Sequence, residues 1–78
     1  MNSPVKKSTD QFVTVLLNGQ PREMACGTSV AQLLAELELP TSHVAVEVNL
    51  QLVPRAQHAE QSLAEGDRIE IVTLVGGG

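Results

Sequence analysis

Phe12-Val-Thr-Val-Leu-Leu17-Asn18-Gly19-Gln20-Pro-Arg-Glu-Met-Ala-Cys26 is the stretch on which the fold turns. Its first six residues are β-branched or aliphatic on both alternating faces, the pattern of a strand covered on two sides and therefore central in its sheet. Asn18-Gly19 supplies two residues that tolerate positive φ, as a type I′ turn demands, so Gln20 to Cys26 returns antiparallel. Pro21 has no N–H to give a ladder, which puts that returning arm on the sheet edge.

Beyond this hairpin, Ser29 and Gln32 have the spacing of a capping box at a helix start. Val30, Leu33, Leu34 and Leu37 follow at i, i+3, i+4 and i+7, so an amphipathic helix of two to three turns packs on one face of the sheet, and Pro40 ends it. Val44 to Val48 reads as a third strand, with a turn around Asn49 to Gln51 and a short strand at Leu52-Val53 stopped by Pro54. Arg55 to Ser62 is polar, with at most a single helical turn. Glu65-Gly66-Asp67 is a turn signal, and Arg68 to Val75 alternates as a last strand. The order β-β-α-β-β-β predicts an α+β fold, a sheet of four to five strands with one main helix across it.

In the other direction, Met1 to Asp10 is polar and without periodicity, a disordered N-terminal extension by composition. It lacks the apolar core of a signal peptide, and no run approaches the ~18 apolar residues of a membrane-spanning helix. The expected organisation is therefore residues 1–10 as a lead-in, 11–75 as the domain and 76–78 as a flexible glycine tail. A chain of 78 residues supports one core. That core comes from Val, Leu, Ile and Ala, because Phe12 is the only aromatic residue. Five basic against nine acidic residues and no aromatic platform argue against nucleic acid as a partner. One cysteine, Cys26, excludes an internal disulfide and a four-thiolate metal site. The composition fits a reducing cytoplasm.

Gly76-Gly77-Gly78 stands directly after the last apolar strand. Three glycines neither extend a strand nor pack a core. Extended at up to ~3.6 Å per residue they reach about 11 Å, enough to thread a narrow channel into another protein's active site. They also leave a terminal carboxylate unhindered. That carboxylate is ionised at neutral pH and resists nucleophiles until an oxygen becomes a leaving group. Attack on ATP, giving an acyl-adenylate, would achieve this, and a sulfur nucleophile could then displace AMP to leave a thiocarboxylate on Gly78. The chain carries no phosphate-binding loop of its own, so it would be a substrate. A terminus without chemistry is the competing reading of the same three residues.

Ala45-Val46-Glu47-Val48-Asn49 followed by Val53-Pro54-Arg55, then Gly66-Asp67-Arg68-Ile69-Glu70-Ile71-Val72 and the closing Val75-Gly76-Gly77-Gly78, resemble the ThiS family of sulfur-carrier proteins. The resemblance spans Val13 to Gly78 and leaves out Met1 to Asp10. It implies a ubiquitin-like β-grasp fold with the first and last long strands parallel at the centre. It further implies that a ThiF-type enzyme consumes ATP to adenylate Gly78, that a cysteine desulfurase-derived persulfide donor supplies sulfur, and that the thiocarboxylate serves ThiG, thiazole synthase. The functional glycines of the family fall on Gly77 and Gly78, with Gly76 just outside the pair. Three alternatives stand beside it: a MoaD-like small subunit of molybdopterin synthase, a β-grasp interaction module without tail chemistry, and a modifier joined to lysines. The absence of proline from Val72 to Val75 disfavours the first.

Other residues have plainer readings. Leu74 and Val75 are docking contacts if exposed beside the glycines and finish the sheet if buried. Cys26 reads as a buried or half-buried filler, since no neighbouring cation would stabilise its thiolate. His43 and His58 read as exposed loop residues, neither at metal-ligand spacing. Arg55 is expected to satisfy a nearby carbonyl or carboxylate. Glu60, Glu65, Asp67 and Glu70 read as a solvated acidic face that could also steer the chain to basic surfaces.

Overall fold

The computed structural model describes residues 11–74. The N-terminal lead-in, Val75 and the glycine tail lie outside them. Strands β1 (Phe12–Leu17) and β2 (Gln20–Ala25) form the expected hairpin, with Leu17 opposite Gln20 and φ of +50° at Asn18 and +85° at Gly19. Helix α1 (Val30–Glu36) follows, then β3 (Val44–Val48), β4 (Gln51–Leu52) and β5 (Arg68–Thr73). The sheet order is β2-β1-β5-β3-β4, with β1 and β5 parallel and the other neighbours antiparallel. This is the mixed five-strand sheet of a β-grasp, and the first and last strands are neighbours as expected.

One expectation about β1 is corrected. The strand has neighbours on both edges, but only one of its faces is covered: Val13, Val15 and Leu17 turn inward, whereas Phe12, Thr14 and Leu16 are exposed. A single helix covers a single face of a sheet, so the outward residues of β1 stay in solvent even though they are apolar. Register extends this open face to Arg68, Glu70 and Val72 of β5, Glu47 of β3 and Leu52 of β4.

The covered face holds the core. Val30, Leu33 and Leu34 of α1 pack with Val15, Met24, Val44, Val46, Val48 and Ile69 of the sheet, and Val53 and Leu63 close the ends. Burying each such side chain stabilises the fold by about 1.5–3 kcal/mol before chain entropy is subtracted.

The start of α1 has all four of its otherwise unpartnered amides satisfied. Val30 and Ala31 donate to the carbonyls of Gln61 and His58, and Gln32 donates to the Ser29 hydroxyl at 3.1 Å. The Gln32 side chain returns the favour at the Ser29 amide, completing the capping box. The helix stops before Pro40. Leu37 is the C-cap, Glu38 takes φ of +60°, and the amides of Glu38 and Leu39 donate to Ala35 and Leu34. These are the two bonds of a Schellman stop, which places glutamate where glycine is usual.

Two boundaries shift by a residue or two. The β3–β4 turn is Asn49-Leu50, with φ of +54° and +70°, so β4 begins at Gln51. β5 pairs as far as Thr73, after which the Leu74 amide still donates to the His43 carbonyl at 2.7 Å. The polar stretch after Pro54 contains a short 3-10 turn, Arg55–Gln57.

Candidate functional site

The region with functional promise is the end of β5, because the last described residue there leads into the glycines. The fold holds β5 by its backbone on both edges and by asparagine side chains at both ends. At its start, the Asn49 Oδ1 accepts from the Arg68 amide at 3.0 Å, and the Asn49 amide donates to the Arg68 carbonyl at 2.8 Å. Asn49 Nδ2 donates to the Asp67 carboxylate at 3.0 Å, and the other Asp67 oxygen accepts from the Ala64 amide at 2.8 Å. Near its end, Asn18 Oδ1 accepts from the Ile71 amide at 2.8 Å while its Nδ2 donates to the Ile71 carbonyl at 3.3 Å. Gly66 makes the turn before β5 at φ of +83°, and the Glu65 carboxylate accepts from the Thr14 amide at 2.9 Å. Of the four residues read as a solvated acidic face, Glu65 and Asp67 therefore have structural partners, while Glu60 and Glu70 are exposed.

Leu74 is 49% exposed and Val72, on the same open face, 57%. Apolar surface of this kind, two residues apart along the strand that carries the tail, is free to meet a partner. Beside Val72 the open face turns acidic, since Glu47 and Glu70 are direct cross-strand partners. Like charges so placed oppose folding. Gly76, Gly77 and Gly78, with Val75, lie outside the described residues.

Three readings of single residues are corrected. Cys26 is exposed, not a core filler. The inward residue of the edge strand is Met24, and the chain leaves β2 at Ala25 and turns at Gly27, φ of +88°, before Cys26 could point inward. His58 is 4% exposed, not a loop residue in solvent. The turn after Pro54 folds it beneath the helix start, where its carbonyl accepts from Ala31. Nε2 lies 3.1 Å from the Val53 carbonyl, which can only accept, so that nitrogen carries the proton; buried Nδ1 has no partner among the described residues. The Arg55 side chain finds no hydrogen bond or ion pair among the described residues, because Pro54-Arg55 opens the 3-10 turn with that side chain outward. His43 is exposed, as expected, against the Ser42 hydroxyl. Among the described residues no cluster of His, Cys, Asp and Glu could hold a metal. No described helix is long and apolar enough to cross a membrane.

Sequence reasoning missed both asparagine clasps and the open face. Asn49 and Asp67 meet in space although they are 18 residues apart, so the Val-Asn and Gly-Asp parts of the resemblance are two halves of one structural contact. A clasp of this kind leaves no periodic signal. The open face did leave one, in the strict alternation of Arg68 to Glu70, which marks β5 as one-sided.

Comparison with known proteins decides what this geometry belongs to. The ThiS family model matches residues 15–78. The chain belongs to the ThiS family. That family is the sulfur-carrier family of thiamine biosynthesis. The sulfur carrier protein ThiS of Escherichia coli is 34% identical over 64 residues, covering 82% of this chain and 97% of that protein. The thiazole synthase of Paramagnetospirillum magneticum is 39% identical over 64 residues, but this chain spans only 20% of that protein's length. The crystal structure of the ThiS thiamine biosynthesis protein from Geobacter metallireducens superposes with a TM-score of 0.74 at 28% identity, covering 85% of this chain and all of that one. ThiS membership therefore agrees at the level of sequence and of fold.

Proposed function

We propose that the Gly78 carboxylate of this ThiS protein is activated by a partner and converted to a thiocarboxylate that donates the sulfur of the thiazole ring. The observation that carries the reading is the family match, which runs through residue 78 and accounts for nearly the whole length of the Escherichia coli sulfur carrier. The chain acts as a protein cosubstrate. A carboxylate oxygen of Gly78 attacks the α-phosphate of ATP in a ThiF-type adenylating enzyme and pyrophosphate leaves. The outer sulfur of a persulfide, supplied from a cysteine desulfurase, then displaces AMP to give an acyl disulfide, and a thiol cleaves its S–S bond, releasing the thiocarboxylate and leaving a disulfide. ATP is consumed by the partner, and the carrier binds no cofactor.

The described residues contribute delivery. β5, held on both edges, presents Val72 and Leu74 as an apolar contact at the base of the tail, and Gly76 and Gly77 carry no side chain to obstruct entry. Glu47 and Glu70 favour a basic partner surface and hasten encounter at low salt. Likeness to one-fifth of larger thiazole synthases supports ThiG as the receiving partner, since a carrier segment within such a chain holds donor and acceptor at high effective concentration. The same relatives favour the thiazole branch over a MoaD-like role. The setting is the cytoplasm, where ATP and persulfides are at hand.

The test is reconstitution. Incubated with a ThiF-type enzyme, ATP, a persulfide donor and a thiol reductant, the chain gains the mass difference of sulfur over oxygen, and the product supports thiazole formation with ThiG. Deleting Gly77 and Gly78 abolishes both. An unchanged mass, or lysine conjugates in place of a thiocarboxylate, refutes the proposal.

A further inference from the structure

The two edges of β5 are held differently where the strand leaves the sheet. On the β3 side, backbone pairing runs to Val44 opposite Thr73 and continues with the Leu74 amide on the His43 carbonyl. On the β1 side, backbone pairing ends with Leu17 opposite Ile69, because the Asn18-Gly19 turn carries the chain away. The Asn18 amide makes the last backbone bond there, to the Ile69 carbonyl at 2.8 Å. Ile71 is the next residue of β5 whose amide and carbonyl face that side, and the Asn18 carboxamide meets both of them. A carboxamide offers the same donor and acceptor as a peptide unit. The β1–β5 ladder is thus prolonged by one step through a side chain after the backbone that would have continued it has turned off.

We propose that Asn18 is a positioning residue for the carrier reaction, whose carboxamide fixes the direction in which β5 delivers the C-terminal segment to a partner's active site; this rests on the reading of Gly78 as the reacting terminus. Gly78 lies seven residues beyond Ile71. Leu74, the last described residue before the tail, lies three residues beyond Ile71, up to ~10 Å away, so an angular freedom of ~10° at Ile71 moves the base of the tail by ~2 Å. Displacement of a reacting atom by even ~1 Å can cost ~100-fold in rate. A strand paired on one edge alone can swing about that ladder, whereas one pinned on both cannot, and Asn18 is the group that pins the second edge closest to the exit.

The ordinary account of Asn18 is that its backbone needs positive φ, which asparagine tolerates. Glycine meets that requirement as well or better, so the turn alone does not call for a carboxamide. Asn18→Gly therefore keeps the turn and deletes only the clasp. Asn18→Asp keeps an acceptor for the Ile71 amide and loses the donor to its carbonyl. Asn49→Gly removes the clasp at the opposite end of β5 and serves as the control for general loosening.

The experiment measures adenylation of the full chain by a ThiF-type enzyme, as pyrophosphate release against carrier concentration, together with amide exchange of Ile71, Thr73 and Leu74 in the free protein. Asn18→Gly is expected to lower kcat by about fivefold or more with KM for the carrier nearly unchanged, because the docking surface is intact and only the delivery fails. Exchange at Ile71, Thr73 and Leu74 should quicken relative to β3 amides. Asn18→Asp should fall between the two, and Asn49→Gly should keep its kcat. Wild-type kcat in Asn18→Gly, or an equal loss in Asn49→Gly, overturns the proposal while leaving the carrier reading in place. A wild-type chain that is never adenylated overturns the carrier reading, and the proposal with it.

Discussion

The two hairpin turns are built on the same plan from different residues. Asn18-Gly19 and Asn49-Leu50 both join strands whose flanking residues pair directly, both have positive φ at the two central positions, and both begin with an asparagine that reaches across to β5. They differ at the second position. Gly19 enters the left-handed region without steric cost, whereas Leu50 does so at φ of +70° with its side chain 82% exposed. A leucine there costs about 1–2 kcal/mol of backbone strain and gains little burial in return. What holds the second turn is its asparagine. Asn49 makes a backbone bond to Arg68 and two side-chain bonds, one of them to a carboxylate. Turn geometry can thus be set by local preference at one place and imposed by tertiary hydrogen bonds at another.

Substitutions at the four turn positions break or sharpen that contrast. Asn49→Gly, which leaves the backbone free to turn, should have the largest effect, about 2 kcal/mol of destabilisation from loss of a charge-assisted and a neutral hydrogen bond, seen as a lower urea midpoint. Gly19→Leu, which makes the first turn resemble the second, should cost about 1–2 kcal/mol. No atom lies within 4 Å of a Cβ placed at Gly19, so the whole effect is conformational. Asn18→Gly should lower stability by about 1 kcal/mol, less than Asn49→Gly, because its partners are one exposed backbone amide and carbonyl. Leu50→Gly should raise stability by up to ~1 kcal/mol; a loss would show that Leu50 packs in a way its exposure conceals. The smallest expected change is at Glu38, a fourth non-glycine residue held at positive φ. Glu38→Gly should raise the thermal midpoint by the equivalent of about 0.5–1 kcal/mol if left-handed strain is local and independent of the turn around it.

The same contrast explains what could be read in the chain. The first hairpin, the capping box at Ser29 and Gln32 and the apolar stripe of α1 rest on local preferences, so they were visible in short stretches of sequence and the structure agrees with them. Leu50, Glu38 and the true end of α1 were not visible, because there the backbone departs from what the residue prefers. Pro40 was an obvious stop, yet the Schellman hydrogen bonds end the helix at Glu36. His58 was misplaced for a related reason: nothing in a polar stretch announces that a 3-10 turn will fold one imidazole beneath a helix. Of the candidate site, Leu74 is exposed as a docking contact requires, while the supporting contacts at Asn18 and Asn49 came only with the fold.

Sequence alone determined which segments become strands or helix and where the first turn falls, since these follow from period, capping and the φ each residue tolerates over a few neighbouring positions. It also offered the glycine end as a candidate for chemistry, because residue type alone says what a side chain would obstruct. Only the tertiary structure decided that one face of the sheet stays open, that Cys26 is outside and His58 inside, and that two asparagines clasp β5 at either end. Those outcomes depend on which distant segments share an edge or a face, and hydrogen bonds between residues 18 and 53 positions apart leave no trace in local pattern.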